Sequence, residues 1–221
     1  MSLDYEIIFS RRRTVSLVIN RDGSLVVRAP KRTGQKELAD IVAKKRDWIE
    51  KHQHKMRQKR PIEKEFKDGE TFMFLGERYP LRICDACAGR LEFKGLAFQL
   101  SQTPAPTARK LFAAWYAKRA AEFIFPRTRY LAELMKVKYR RISITAARTR
   151  WGSCSDQSTI NFSWRLVLAP PHIIDSVIIH ELAHLIHHNH SGSFWDTVKQ
   201  LYPDYKNAKK WLKQNGHLLQ I

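Results

Sequence analysis

The strongest constraint on the fold of this chain is a segment after Pro170-Pro171 that reads as a helix and is apolar on nearly every side. Ile173, Ile174, Val177, Ile178, Ile179, Leu182, Leu185 and Ile186 leave it almost no polar face, and a helix that is hydrophobic all round belongs inside a core. Within it stands His180-Glu181-Leu182-Ala183-His184. Residues four apart lie one above the other on a helix, so both imidazoles can reach one metal ion. Glu181, about 100° round from His180, can reach a water on that ion. Polar side chains placed in a core are costly without partners. A solvated surface helix could carry the same five residues for no reason at all, but this helix is not one, and a metal site is the expectation.

A catalytic zinc usually takes three protein ligands and keeps one position for water, which makes Zn2+ the expected ion. His190 follows His184 with five residues between them, in His184-Leu185-Ile186-His187-His188-Asn189-His190. That is the histidine spacing of the metzincin signature, with His187 where the signature has Gly. The chain has to turn sharply to bring His190 back, and Asn189 or His188 is expected to take the left-handed conformation that Gly would otherwise supply. His190 is the favoured third ligand; the competing choice is a carboxylate further on, Asp196 or Asp204. His187 and His188 are expected beside the site or on the surface.

Length and charge bound the rest. The 221 residues suit one large domain or two small ones. Forty Lys and Arg against 21 Asp and Glu give a formal charge of +19, with 43% hydrophobic residues, too apolar for a disordered basic tail. The surplus is uneven: +9 for residues 1–60, +1 for 61–110, +8 for 111–170 and +1 for 171–221. Such segments suit contact with a polyanion or nucleic acid, and solvated helix faces account for them as readily. No apolar run reaches the roughly 18 residues of a membrane span, so no membrane partner and a cytoplasmic location are expected. Three cysteines cannot build a disulfide framework. Cys84 and Cys87 form a CxxC without the second pair that a structural zinc needs, and are expected as two thiols in a hairpin turn.

The fold class expected is α+β. Residues 1–102 form a basic, strand-rich N-terminal region with strands at 5–10, 14–20, 24–28, 71–75, 79–83, 90–93 and 97–100. Turns fall at Asp22-Gly23, Leu75-Gly76, Ala88-Gly89 and Lys94-Gly95. This region holds a single amphipathic helix over 36–58. Residues 103–221 form the helical, catalytic region. It opens on a helix over 107–135 that Pro126 should kink or split, with Leu111, Trp115, Phe123, Leu131 and Leu134 as its buried stripe. Strands follow at 141–145 and 159–162, then helices at 171–188, 193–202 and 205–214.

Trp151-Gly152-Ser153-Cys154-Ser155, Ile160-Asn161, Leu166, Pro170, the His180 to His184 motif, and Asn189-His190-Ser191 with Phe194-Trp195 together closely resemble the YgjP-like metallopeptidase family. That family is related to the WLM and SprT-like zincins. The resemblance runs in organisation from about 20 to 215 and is specific from about Arg148 to Trp195. It implies a minimal zincin-like metallopeptidase domain with an antiparallel sheet, His180, His184 and His190 as zinc ligands, and Glu181 as catalytic base.

The strand leading into Trp151-Gly152-Ser153-Cys154-Ser155 is expected either to edge a cleft that takes an extended peptide as a further strand, or to form a tight turn beneath Trp151 with Cys154 simply buried. Arg148, Arg150 and Trp151 are candidate cleft residues. Arg148, Arg150, Tyr202 and Tyr205 are candidate donors to a developing oxyanion. The expected function is zinc-dependent hydrolysis of peptide bonds in a protein or peptide substrate, with Glu181 as general base. Two alternatives stay open: hydrolysis of a nucleotide or other phosphoanhydride, and a nucleic-acid-associated protease of the SprT or WLM type.

Overall fold

The computed structural model describes residues 4–20, 22–58, 63–84 and 90–221, which form two compact units, Met1–Ile62 and Glu63–Ile221. The division falls at 62/63 rather than at the expected 102/103. The strands between 71 and 100 resemble the N-terminal strands in composition, which is why the sequence groups them together. Their apolar side chains nevertheless share a core with the long helix that follows: Phe66, Phe72, Phe98 and Phe112 stack on one another at 4.2 to 6.0 Å between ring centroids.

In the first unit, β1 (Tyr5–Ser10), β2 (Ser16–Ile19) and β3 (Leu25–Pro30) form a sheet in the order β1-β3-β2, with β2 and β3 antiparallel across Asp22-Gly23. Gly23 has φ 87°, as such a turn requires. The single helix expected over 36–58 is two, α1 (Gln35–Lys44) and α2 (Arg46–Gln58), broken at Lys45. The break lets Leu38 and Val42 of α1 and Ile49 of α2 reach one small core with Leu25, Val27 and Ala29.

The second unit begins with β4 (Thr71–Phe74), β5 (Glu77–Ile83), β6 (Glu92–Lys94) and β7 (Ala97–Leu100), ordered β4-β5-β7-β6. The expected turn at Ala88-Gly89 lies outside the described residues, as does Cys87; Cys84, expected as a free thiol, is disulfide-bonded. The β4–β5 turn does more than reverse the chain. Leu75 and Gly76 donate their N–H groups to the carbonyls of Val167 and Leu168, and a Cβ on Gly76 would stand 2.8 Å from Pro170. This turn therefore fixes the segment that launches the histidine-bearing helix.

Helix α3 (Ala105–Met135) runs as one piece through Pro126, about 46 Å long at 1.5 Å per residue. Its buried stripe is not the expected one. Ala108, Phe112, Tyr116, Ala120, Ile124, Thr128 and Leu131 face the core, while Leu134 is exposed and Leu111, Trp115 and Phe123 lie at the margins. The i, i+4 row mixes large side chains with alanines, and the alanines admit close neighbours that hydrophobicity alone does not rank. Thr128, buried in that row, donates its hydroxyl to the Ile124 carbonyl, and Tyr116 donates its own to Met73 at 2.6 Å.

Strands β8 (Arg141–Thr145), β9 (Gly152–Cys154) and β10 (Thr159–Ser163) form a mixed sheet in the order β8-β10-β9, with β8 parallel and β9 antiparallel to β10. The α+β class holds, but this sheet is not wholly antiparallel. A 3-10 turn, Trp164–Leu168, leads to α4 (Pro171–Ala183), followed by α5 (Gly192–Leu201) and α6 (Tyr205–Asn215). Proline at the start of α4 suits the first helical turn, where its missing N–H goes unneeded. An Arg127–Asp175 fork, with contacts of 2.7 and 2.8 Å, ties α3 to α4. Among the described residues no helix is long and apolar enough to cross a membrane.

Candidate metal centre

Helix α4 ends at Ala183, five residues short of the expected end. The N–H groups of Leu185, Ile186 and His187 bond to the carbonyls of Leu182 and Ala183, which tightens the last turn and swings the chain off the helix axis. Neither His188 nor Asn189 takes a positive φ. The reversal is built from these tightened turns, with Asn189 Oδ1 accepting from the Ser191 N–H, so the expected left-handed residue is not needed.

The reversal brings His190 against His180, with their Nε2 atoms 3.2 Å apart. One ligand atom from each of His180, His184 and His190 lies within 4.8 Å of the others. Nitrogens on a tetrahedral ion with bonds of about 2.0–2.1 Å stand roughly 3.3 Å apart. The closest pair already has that separation, and the loosest needs a small closure of the rings. His184 Nδ1 lies 3.2 Å from the His187 carbonyl. A carbonyl only accepts, so the proton sits on Nδ1 and the Nε2 lone pair is left for an ion.

One side chain to which the helical spacing assigns no role organises all three rings. Phe194, fully buried at the start of α5, packs against His180, His184 and His190 with centroids 5.0, 4.7 and 4.8 Å away. His190 also stacks on Trp195, which in turn stacks on Tyr205. Phe194-Trp195 belongs to the family pattern, but its place under the histidines follows from the turn at 185–190, which local spacing does not reveal. His187 is anchored away from the cluster: Thr197 donates its hydroxyl to the Ser193 carbonyl, so His187 Nε2–H donates to Thr197 at 3.1 Å. His188 is exposed, 4.0 Å from Asp156.

Burial sets the protonation of the site. His180 is held down to about pKa 4, first by burial and then by the neighbouring His184, His190 and Lys209, and His184 is lowered mainly by burial. Burial therefore favours the neutral imidazole at both, with a lone pair free to be offered. Glu181, only 5% exposed, is pushed up to about 7 by burial, with the Arg150 charge pulling the other way. A carboxyl tuned into that range can take and return a proton near neutrality.

Glu181 faces β9. A Cβ on Gly152 would stand 2.6 Å from both Glu181 Cγ and Oε1. The strand thus approaches the carboxylate as closely as only glycine permits, and the segment expected as either cleft edge or tight turn is a strand at the end of its sheet. Cavities lie on both sides of this contact. One of about 600 Å³ reaches towards α5 and α6, and one of about 330 Å³ runs along β9 to Asp156; both are lined by Gly152, His180, Glu181 and His190.

The other candidates divide. Trp151 lines the larger cavity, and Arg150 lines a third, polar one of about 340 Å³ with Trp151 and Gly152. Arg148 lines none of these three; its charge is felt at Arg165. Tyr205 lines the larger cavity and Tyr202 lines none of the three. Asp196 pairs with Lys199 on the surface, and Asp204 accepts from Asn207 at the start of α6, so neither joins the histidines. Cys154 is half-buried, its thiol pushed up to about 11 by burial and by the Glu181 and Asp156 charges, which leaves it a thiol rather than a thiolate.

A buried helix carrying one histidine of the cluster and a carboxyl, with a second histidine at its C-terminal cap and a third from the following turn, has the donor set of a metal-dependent hydrolase. The model of the YgjP-like metallopeptidase domain matches residues 13–215. The chain belongs to the YgjP-like family, and its domain is a metallopeptidase domain. Among solved structures, that of the metallopeptidase zymogen of Pyrococcus abyssi abylysin is similar, with 18% sequence identity and a TM-score of 0.40. The similarity covers 44% of this chain and 99% of that one. No curated protein matches.

Proposed function

We propose that this protein is a zinc-dependent peptidase in which His180, His184 and His190 hold the ion and Glu181 is the general base. The observation that carries the reading is the convergence of three imidazoles within 4.8 Å beside a buried carboxyl on the same helix. Two neutral, preformed imidazole donors and a third from an adjoining turn suit zinc, which favours nitrogen ligands in tetrahedral array. When bound, zinc supplies the polarisation of the scissile carbonyl and the acidification of water. Glu181 accepts the proton of the attacking water and delivers it to the leaving amine, a transfer that its raised pKa favours. Strand β9 offers main-chain groups along its free edge to an extended substrate. Arg150, whose charge is felt at Glu181, is the candidate to meet negative charge as it develops.

The test pairs metal analysis with activity. One zinc per chain is expected after dialysis against metal-free buffer, fewer in His190→Ala, and an unchanged content in Asp196→Ala. Peptide cleavage should vanish with a chelator and return with zinc. Zinc retained in full by His190→Ala would overturn the ligand set.

A second reading, hydrolysis of a phosphoanhydride, is favoured by one observation: the polar cavity beside Gly152 is lined by Thr145, Arg150, Ser153, Asn161 and Ser163. The same metal chemistry can attack phosphorus. Release of phosphate or pyrophosphate from nucleoside triphosphates, with no peptide cleaved, would select it.

The basic surplus of residues 1–60 supports an extension of the proposal, that the first unit holds a polyanion such as nucleic acid. Binding of a DNA or RNA oligonucleotide should then weaken by roughly tenfold or more between 50 and 200 mM salt. Replacing Lys44 and Lys45 by Ala should flatten that dependence. Affinity indifferent to salt would remove nucleic acid from the proposal.

A further inference from the structure

The larger cavity beside the histidines has walls of a different chemistry from the site itself. Val177 comes from α4, Trp195 and Val198 from α5, and Leu212 from α6, with Trp151 closing the side towards β9. Its volume, about 600 Å³, lies within the range of pockets that enclose a small organic group. The aromatic wall is held rigidly, because Trp195 is stacked on Tyr205 at 5.0 Å and on His190 at 5.6 Å. Among the described residues one permanent cation lines this cavity: Lys209 Nζ stands 5.1 Å over the Trp195 ring. His180 and Glu181 also line it, so whatever enters lies directly beside the bond being broken.

We propose, resting on the peptidase reading, that this cavity is the side-chain pocket of the enzyme. It selects a bulky, uncharged apolar residue adjacent to the scissile bond, and Lys209 bars lysine and arginine from that position. An aromatic or branched aliphatic side chain exchanges water for the faces of Trp195, Val198 and Leu212, and gains by the apolar area it buries. A cationic side chain would lose its hydration there and face the Lys209 charge. Among the described residues the pocket walls offer it no carboxylate other than Glu181, which on the peptidase reading is engaged in the chemistry itself. Rejection is thus built into the pocket along with attraction.

The experiment is a cleavage-site profile of the zinc-loaded protein on a mixed peptide library, followed by kcat/KM on matched peptides carrying Phe, Leu, Gly or Arg at the selected position. Phe and Leu peptides are expected to be cut roughly 100-fold better than the Gly peptide, the scale on which apolar pockets discriminate. Leu212→Trp, which fills the cavity, should collapse that ratio. Lys209→Glu changes an exposed side chain, so the fold should hold. It should raise the Arg-to-Phe ratio by about tenfold, one charge–charge contact's worth of discrimination. Cleavage without side-chain preference, or a preference that neither variant alters, overturns the pocket while leaving the peptidase reading standing. Failure to cut any peptide in the library overturns the peptidase reading itself, and the pocket with it.

Discussion

Replacing Glu181 by Gln leaves the metal in place and lowers turnover by about 10²–10⁴-fold, the range for losing a positioned general base. Gln keeps the size and the acceptor oxygen but cannot take a proton. The side chain is 5% exposed, so water cannot readily stand in for it. The measurement is zinc content and kcat/KM on one preparation, with the thermal midpoint as a control for folding. Because burial raises the Glu181 pKa, the neutral amide should not weaken the fold. Full activity in Glu181→Gln would remove this residue from the chemistry.

The second large effect comes from a residue with no side chain. Gly152→Ala places a methyl carbon 2.6 Å from Glu181 Oε1 and 2.8 Å from its Cδ, well inside contact distance. Either the carboxylate or the strand must move, and a carboxylate that swings into one of the adjoining cavities leaves the position from which it would meet the attacking water. A displacement near 1 Å at a reacting group costs on the order of 10²-fold in rate. The expected signature is a loss in kcat with zinc content unchanged, distinguishing misplacement of the base from loss of the ion. An alanine variant as active as the parent would show that Glu181 has space which the strand contact denies it.

These two residues mark the limit of what the sequence makes legible. The motif His180 to His184 is local: helical period alone places both rings on one face, and the apolar run around it places that face inside. His190 is also within reach, because the five residues between it and His184 are a spacing a single reversal can close. The contact between Gly152 and Glu181 joins residues 29 positions apart across a strand and a helix, and no periodicity reports it. Phe194 shows the same gap, since its place beneath three imidazoles depends on how the chain turns between 185 and 190. The end of α4 is hidden because Leu185 and Ile186 continue the apolar pattern after the backbone has left the helix. Pro126 misleads in the other direction: the long helix is held along its length by a tightly packed face, and packing outweighs one missing hydrogen bond. The domain boundary escapes for a related reason. The strands between 71 and 100 look like those between 5 and 30, and only their shared aromatic core with α3 assigns them to the second unit.

Strand β9 has three residues and ends its sheet. Unpaired strand edges invite other chains to join, and keeping them short is one way proteins avoid uncontrolled self-association. On the proposed reading the same brevity rations what a substrate would gain there, since three residues can exchange only a few main-chain hydrogen bonds, each worth about 1 kcal/mol net. An enzyme built this way holds a generic extended chain weakly and releases its products readily. Its discrimination between substrates must come from elsewhere in the cleft, so Michaelis constants should vary with side chains far more than with peptide length.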